Sequence, residues 1–507
     1  MSLPAEEILE MSEPGRLFRS PHWSFLLLLP VLAFAATLAA FAQRSPSGEV
    51  TRRLTLSPCH LEGFREEVRC GTLRVPENRA TRTGRTIDLK VAVIPALRPE
   101  SAPDPLFVFA GGPGQGARRY APFAQTAFRE VRRRRDVVLV DQRGTGDSNP
   151  LGCDFGDPLT FLETDGALDT APCLRKLKGD PRLYTTEPAM DDIDDVRAAL
   201  GYEKINVWGG SYGTRAALVY ARRHPERVRS VVIDGAAPFE ITLPLYNAWG
   251  AQRAMDRLLA DCAAEPACHA AFPRLREEFG EVLGRLERGP AQASLRHPQT
   301  GKPLELTVSR STFASGLRGM LYSPTYSSLI PHVVHTAAQG DFGPLAALSI
   351  ETAAWSTETM SLGMTLSVLC AEDVPRITDE QAEREVRGTW LGSSEIDGWR
   401  RMCSAWPRGP LPAGVDRVQP LQVPTLILSG DLDPVTPPRW GEVMKKHFPG
   451  ALHVVVPGAG HNTSTTGCVP DLIAGFIGQA SVAGLDTACV RRVRRPPFVI
   501  DPSGTAP

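Results

Sequence analysis

A pentapeptide of small residues, Gly209-Gly210-Ser211-Tyr212-Gly213, lies directly between a short apolar run, Ile205-Asn206-Val207-Trp208, and a helical stretch from about Tyr212 to Arg223. That placement leaves the chain little freedom. Small residues on both sides of a serine let a strand turn sharply into a helix. The serine is then held in a strained turn with its hydroxyl above the sheet and the helix N-terminus beneath it. As a bare G-x-S-x-G pattern the pentapeptide would arise often by chance. Between a buried strand and a helix it marks Ser211 as a candidate nucleophile.

The surrounding pattern supplies the sheet that such a turn requires. Val68 to Leu97 reads as an opening antiparallel hairpin around a Gly/Arg turn. Short apolar runs then alternate with helical stretches: Leu106–Ala110 runs into GGPGQG, Val137–Val140 into DQRGTGDSNP, and residues 191–200 read as an amphipathic helix. Val228 to Ile233 is a further strand. Buried strands alternating with helices predict a doubly wound, mostly parallel sheet with function at the strand C-termini. Beyond Pro238 the rhythm stops, and residues 240–415 read as mostly helical. Two more strands follow, Pro424 to Ser429 and His453 to Pro457. The expected organisation is a core in two parts, 43–239 and 416–507, with a largely helical cap, 240–415, inserted after the sixth strand. The run Arg132 to Arg135 reads as an exposed helix end. Hydrophobic residues at 42% and charged residues at 22% allow a large core, and 56 Lys+Arg against 57 Asp+Glu leave no basic field for nucleic acid.

The N-terminus speaks to compartment. Arg16 and Arg19 precede an apolar run of 20 residues, Trp23 to Ala42, which ends in Ala40-Phe41-Ala42. A basic region, an apolar region and a small-x-small site predict a cleaved signal peptide over residues 1–42, and hence a secreted or periplasmic protein. An uncleaved anchor is the competing reading, because 20 residues can span a bilayer. The ten cysteines all lie beyond this run and fall into neighbouring pairs: Cys59 and Cys70, Cys153 and Cys173, Cys262 and Cys268, Cys370 and Cys403, Cys468 and Cys489. An even count in an exported chain predicts disulfides, although sequence leaves their connectivity open. No Cys-x-x-Cys spacing supports a metal site, and no cofactor is expected.

A serine hydroxyl needs a base and an acid behind it. In the α/β-hydrolase order these follow the serine as acid and then histidine, each on a loop after a strand. After the strand ending at Ser429 comes Gly430-Asp431-Leu432-Asp433-Pro434-Val435-Thr436-Pro437, and after the next comes Gly458-Ala459-Gly460-His461. His461 is the candidate base; His453 and His224 read as structural. Asp433 is preferred as the acid because it lies farther from the strand end, with Asp431 capping the turn. The backbone N–H of Tyr212 and that of Gly112, in the loop Gly111-Gly112-Pro113-Gly114, are the candidate oxyanion donors. No phosphate-loop signature competes for that glycine-rich turn, since neither Gly-Lys-Ser/Thr nor G-x-G-x-x-G occurs there.

Taken together, GGPG, DQRGTG, GGSYGT, GDLDPVTP and GAGH resemble the proline iminopeptidase and tripeptidyl aminopeptidase family of α/β-hydrolase serine peptidases, with a TAP-like C-terminal region. The resemblance covers essentially the whole exported chain, including the segment from Asp261 to Cys268. It implies an exopeptidase whose substrate is a peptide with a free N-terminus, held by an acidic residue of the cap. Glu372 is the residue it points to. Proline iminopeptidases carry His before GGPG, whereas Ala110 stands there here, as tripeptidyl-type members tolerate. The expected function is therefore an exported serine aminopeptidase releasing single residues or tripeptides. A carboxylesterase using the same triad is the alternative. Epoxide hydrolase and dehalogenase chemistry need an aspartate where Ser211 stands, and an inert binding module would be expected to lack a triad member.

Overall fold

Runs of four to six mainly apolar residues become the interior of one sheet. The strands are, in chain order, Ser57–Leu61 (β1), Phe64–Pro76 (β2), Thr86–Ile94 (β3), Leu106–Phe109 (β4), Val137–Val140 (β5), Ile205–Gly210 (β6) and Val228–Asp234 (β7). After these come a separate hairpin, Ala291–Arg296 (β8) and Pro303–Val308 (β9), and then Thr425–Gly430 (β10) and Leu452–Val456 (β11). The computed structural model describes residues 53–153, 168–411, 414–415, 417–501 and 504–505, so the expected signal segment 1–42 lies outside the described residues. Among the described residues the main sheet has nine strands in the order β1-β2-β3-β5-β4-β6-β7-β10-β11. From β5 to β11 every pairing is parallel, and β1, β2 and β3 form an antiparallel edge.

Burial explains the apolar runs. Every residue of β4, β5, β6 and β10 is buried, as a parallel sheet covered on both faces requires. Alternate side chains point to opposite faces. Phe107, Phe109, Val207, Ile233 and Ile427 join one core with the helices Thr186–Leu200, Tyr212–Arg223 and Pro438–His447. Leu106, Val108, Trp208, Val232 and Leu428 join the other with Phe128 and the helix Val469–Gln479.

The structure adds β1 ahead of the opening hairpin, so the inserted region follows the seventh strand rather than the sixth. That region is helical for most of its length, from Asn247–Ala264 to Ser394–Ala405, around a core of its own that includes Met255, Phe279, Phe313 and Phe342. The β8–β9 hairpin inside it was not expected. Its strands bury only Ala293, Leu306 and Val308, although each alternates apolar and polar residues (Ala291, Ala293, Leu295; Leu304, Leu306, Val308) as a half-buried strand does. The arginine run also differs from expectation. Arg132 is 5% exposed and donates to both Glu66 oxygens at 2.8 and 2.6 Å, while Arg135 donates to Asp104 at 2.9 Å.

All ten cysteines are paired, each with its neighbour in sequence: 59–70, 153–173, 262–268, 370–403 and 468–489. Cys59–Cys70 joins β1 to β2. Cys370–Cys403 joins the helices Leu362–Glu372 and Ser394–Ala405. Cys468–Cys489 fixes the start of Val469–Gln479, seven residues after His461. This last bridge closes a 21-residue separation, for which loop closure in the unfolded chain is worth about 3 kcal/mol. Replacing both Cys468 and Cys489 by Ser should therefore lower unfolding stability by about that amount. Denaturant midpoints of the variant and the parent under oxidising conditions measure it.

Candidate active site

The nucleophile turn is enforced by packing. Helix Tyr212–Arg223 passes so close to β4 that a Cβ at Gly213 would collide with the carbonyl oxygens of Phe109 and Ala110, and a Cβ at Gly209 would strike the Gly213 carbonyl. Only glycine fits at either position. The chain reverses from β6 into the helix at one residue, and Ser211 takes φ 55°, ψ −125°, a conformation that costs a non-glycine residue free energy. The Ser211 N–H donates to the carbonyl of Asp234, at the end of β7, at 2.9 Å. The N–H of Tyr212, in the first turn of the helix, has no carbonyl acceptor within that helix.

The loop after β4 lies against this turn. A Cβ at Gly111 would stand 3.3 Å from the Ser211 Cβ. The Gly111 N–H points to the hydroxyl of Tyr120, 3.5 Å away, and that hydroxyl donates to Gln115 Oε1 at 2.8 Å. Burial pushes the Tyr120 hydroxyl up to about 12. Among the described residues no protein acceptor takes the N–H of Gly112, which adopts φ 106°. The two N–H groups expected to receive an oxyanion thus come from the elbow and from the loop beside it.

The loops that carry the candidate acid and base, Asp433 and His461, lie against each other. His461 Nδ1 lies 2.9 Å from Asp433 Oδ2, with the histidine side chain 9% exposed and the aspartate wholly buried. Asp433 Oδ1 accepts from the N–H groups of Val435 and Thr436 at 2.7 and 2.8 Å, and Oδ2 accepts from Thr436 Oγ1 at 2.7 Å. Burial works against charge at Asp433, but His461 and these hydrogen bonds outweigh it and hold its pKa below the usual carboxylate range. At His461 burial likewise opposes charge, and the neighbouring Asp433 outweighs it, so the imidazole sits above its ordinary value. Asp431 Oδ1 accepts from Gly458 N–H at 2.7 Å and so ties the acid loop to the histidine loop, where a cap on its own turn was expected. His453 pairs with Glu442 and Ser429, and His224 with Asp191, both away from this constellation.

Four further residues shape the site without having been singled out. Thr436 touches both partners, its Oγ1 lying 3.1 Å from His461 Nδ1. Arg253 donates to the carbonyls of Asp431 and Asp433 at 2.9 and 2.7 Å. The carbonyl of Tyr322 accepts the His461 N–H at 2.9 Å, and its ring meets the imidazole edge-on with centroids 5.3 Å apart. Asp234 receives the Ser211 N–H through its carbonyl. Only Thr436 carried a signal, as part of the turn that follows Asp433. The others lie far from the motifs in sequence or sit in an ordinary strand.

Glu372 is placed differently from expectation. An amine anchor would be a carboxylate open to the cleft, but Glu372 is 3% exposed and already partnered. Its Oε1 accepts from Thr186 N–H at 2.7 Å and its Oε2 from Thr186 Oγ1 at 2.9 Å, with Arg215 Nη1 at 3.4 Å. Thr186 Oγ1 also lies 2.8 Å from the Tyr212 hydroxyl. Asp373 beside it is fully buried and takes Arg215 in two hydrogen bonds of 2.6 and 2.9 Å. Burial pushes the Glu372 carboxyl up, partly countered by Arg215 and Thr186. Glu372 belongs to a network that braces the nucleophile helix.

Residues 104–290 match the family described as alpha/beta hydrolase fold, and residues 393–489 match the family described as TAP-like protein. The first match contains Ser211 and the second contains Asp433 and His461. The chain is 25% identical over 447 residues to the serine protease Hip1 of Mycobacterium tuberculosis, covering 80% of this chain and 84% of that one. It is 32% identical over 196 residues to a tripeptidyl aminopeptidase of Streptomyces lividans, covering 33% of this chain and 35% of that one. With a proline iminopeptidase of Neisseria gonorrhoeae it shares 34% identity over 146 residues, covering 29% and 36%.

The opposed shifts of Asp433 and His461 set a pH window. A lowered acid contributes stability above its unfolded pKa and loses it as pH falls through the folded value; a raised base contributes below its unfolded pKa and loses it as pH rises through the folded value. The pair is therefore worth most between about pH 4 and pH 6.5, the ordinary values of the two groups. Asp433→Asn should be most destabilising relative to the parent in that window, with the gap narrowing toward both acid and alkaline pH. Denaturation series across pH measure this, and a constant gap would contradict the pairing.

Proposed function

This chain being a serine hydrolase of α/β-hydrolase fold, we propose that it is an exported serine aminopeptidase, cleaving peptide bonds near free N-termini to release single residues or tripeptides. The observation that carries the catalytic part is the buried Asp433–His461 pair standing with Ser211 around the end of β7. The peptidase part is supported by the relatives, three of which are named as peptidases. Export is supported by five disulfides with no free cysteine. Among the described residues no helix is long and apolar enough to cross a membrane.

In this mechanism His461 Nε2 accepts the Ser211 hydroxyl proton as Oγ attacks the scissile carbonyl carbon. Asp433 holds Nδ1–H and stabilises the imidazolium that forms. The carbonyl oxygen becomes an oxyanion met by the N–H groups of Tyr212 and Gly112. Collapse of the tetrahedral intermediate breaks the C–N bond. The proton passes from His461 to the departing amine, leaving an ester on Ser211. Water then attacks that ester with His461 again as base, which frees the acyl fragment and restores the serine. The inserted region, 240–415, acts as a cap: the Tyr322 carbonyl takes the His461 N–H, and Ser361 N–H donates to the Gly114 carbonyl at 2.9 Å.

With Glu372 only 3% exposed, a substrate ammonium needs a carboxylate more open to solvent. Glu395 fits that need. Its side chain is 25% exposed, and it lies 3.6 Å from Arg318, whose Nη2 donates to the Tyr322 hydroxyl at 3.1 Å. Asn247 Nδ2 donates to Glu395 Oε1 at 2.8 Å. The carboxylate thus stands in the cap beside the tyrosine that packs on His461.

Ser211→Ala should leave a folded protein with amidase activity lower by roughly 10⁴-fold or more. Free tripeptidyl and aminoacyl chromogenic amides should be cleaved far faster than their N-acylated forms, and Glu395→Gln should narrow that gap by slowing the free-amine substrates. Equal rates on free and N-blocked amides, with short-chain esters preferred, would replace the aminopeptidase by an esterase. Because His461 must be neutral to act as base and its pKa is raised, the acid limb of kcat/KM should lie above the ordinary imidazole value of about 6.5.

A further inference from the structure

Asp234, the last residue of β7, is wholly buried and touches both halves of the reacting pair through different groups. Its carbonyl accepts the Ser211 N–H at 2.9 Å. Its carboxylate is turned toward the chain that follows His461. Oδ1 accepts from Thr463 N–H at 2.8 Å and from Thr463 Oγ1 at 3.2 Å. Oδ2 accepts from Thr463 N–H at 2.9 Å, Ser464 N–H at 2.8 Å and Ser464 Oγ at 2.6 Å. Behind Ser464 stands Trp208, whose Nε1–H donates to Ser464 Oγ at 2.9 Å. An indole N–H can only donate, so the serine hydroxyl accepts there and sends its own proton to Asp234. Burial pushes the Asp234 carboxyl up, against the hydrogen bonds from Ser464 and Thr463 and the nearby His461; because every group facing its oxygens is a donor, the geometry is that of a carboxylate and not of a protonated acid.

The proposed mechanism uses none of these contacts, yet they act where it is most sensitive. Between His461 and Thr463 the chain passes through Asn462 at φ 64°, a left-handed conformation that needs support from its surroundings. Gly235, which follows Asp234, is packed so tightly that a Cβ there would lie 2.9 Å from Thr436 Oγ1 and 3.4 Å from His461 Cε1. The nucleophile, the imidazole and the threonine of the acid loop therefore converge on the end of one strand. We propose that Asp234 is a positioning residue: its carboxylate clamps residues 463 and 464 so that the imidazole of His461 is held in register with Ser211, which its own carbonyl anchors. The proposal rests on Ser211 and His461 being the nucleophile and base.

Asp234 also contributes charge. The groups facing His461 are Asp433 and Thr436 from the acid loop, Tyr322 and, behind it, Arg318 from the cap, and Asp234 from β7. Asp433 and Asp234 favour the imidazolium and Arg318 opposes it. Asp234→Asn removes one anion, so the pKa of His461 should fall and the acid limb of its activity should move to lower pH. A side chain that only filled space would not move that limb when replaced by its near-isostere.

The test is the rate at which a fluorophosphonate labels the full-length oxidised protein across pH, because this reports the nucleophile and base without requiring the natural substrate. Asp234→Asn should label roughly 10- to 100-fold more slowly at its optimum, the range expected of a misplacement of about 1 Å, with the acid limb displaced downward. With a chromogenic amide, kcat should fall while KM holds. Ser464→Ala keeps the charge and loosens the clamp, so it should label about threefold or more slowly with the limb in place. Labelling of Asp234→Asn within about twofold of the parent overturns the proposal, and so does slower labelling with an unmoved limb. Should Asp234→Asn fail to fold, Ser464→Ala decides, and parental labelling by that variant overturns the clamp. Ser211→Ala run alongside separates the two readings: if it still labels at the parental rate, the serine assignment itself fails, whereas its loss of labelling leaves the Asp234 result to stand alone.

Discussion

The approach of helix Tyr212–Arg223 to β4 leaves no room for a side chain at Gly213, and the site is organised around that contact. The chain must climb out of β6 and descend into the helix at a single residue. Ser211 therefore occupies a backbone conformation it would not choose alone, and its side chain stands where three loops end. The loop after β4 supplies Gly111 and Gly112, β7 supplies the carbonyl that receives the Ser211 N–H, and the loops after β10 and β11 supply Asp433 and His461, the candidate acid and base. Those loops end together because β4, β6, β7, β10 and β11 are consecutive parallel strands, whose C-termini necessarily share one edge.

Charge buried beneath the elbow joins the inserted helices to it. Arg215, on the nucleophile helix, is fully buried and binds Asp373 with two hydrogen bonds. Glu372 reaches through Thr186 to the Tyr212 hydroxyl, and Arg376 donates to the Phe239 carbonyl at 2.9 Å. Removing one partner of such a pair strands a charge in the interior, typically at about 3–5 kcal/mol. The helix Leu362–Glu372 therefore acts with the elbow as one unit at this edge. The network also explains why no free carboxylate is left at Glu372 for a substrate.

Sequence made the framework legible because the signals there are local. The elbow needs only five residues in a strand-to-helix context, and GDLDPVTP and GAGH each sit directly after an apolar run. The nearest-neighbour cysteine pairs all form, since each joins segments that the chain itself keeps close. What escaped was set by tertiary packing. Glu372 reads as an acidic residue at a helix end, and nothing local says that Arg215, 157 positions away, waits beneath it. Arg132 reads as part of a solvated run, yet Glu66 and Phe64 enclose it. The β8–β9 hairpin does carry the period-two alternation of a strand, but in two runs of only six residues within a stretch that otherwise reads as helical. Asp234 directly follows the run Val228 to Ile233, and Tyr322 lies far from every motif, within the inserted helices. Their roles appear only once β7 and the histidine loop are side by side.

The five bridges span separations of only 6 to 33 residues, whereas Ser211 and His461 are joined across 250 positions by hydrogen bonding and packing alone. Each cystine can close within its own stretch of chain, without waiting for anything downstream, which leaves few opportunities for mispairing. The hydrolytic centre behaves in the opposite way. Its candidate acid and base, Asp433 and His461, come into place only when β10 and β11 add to the edge of β7. A constellation assembled in this order is complete only after β11 has joined the sheet, so no stretch of the chain that stops short of that strand can present it.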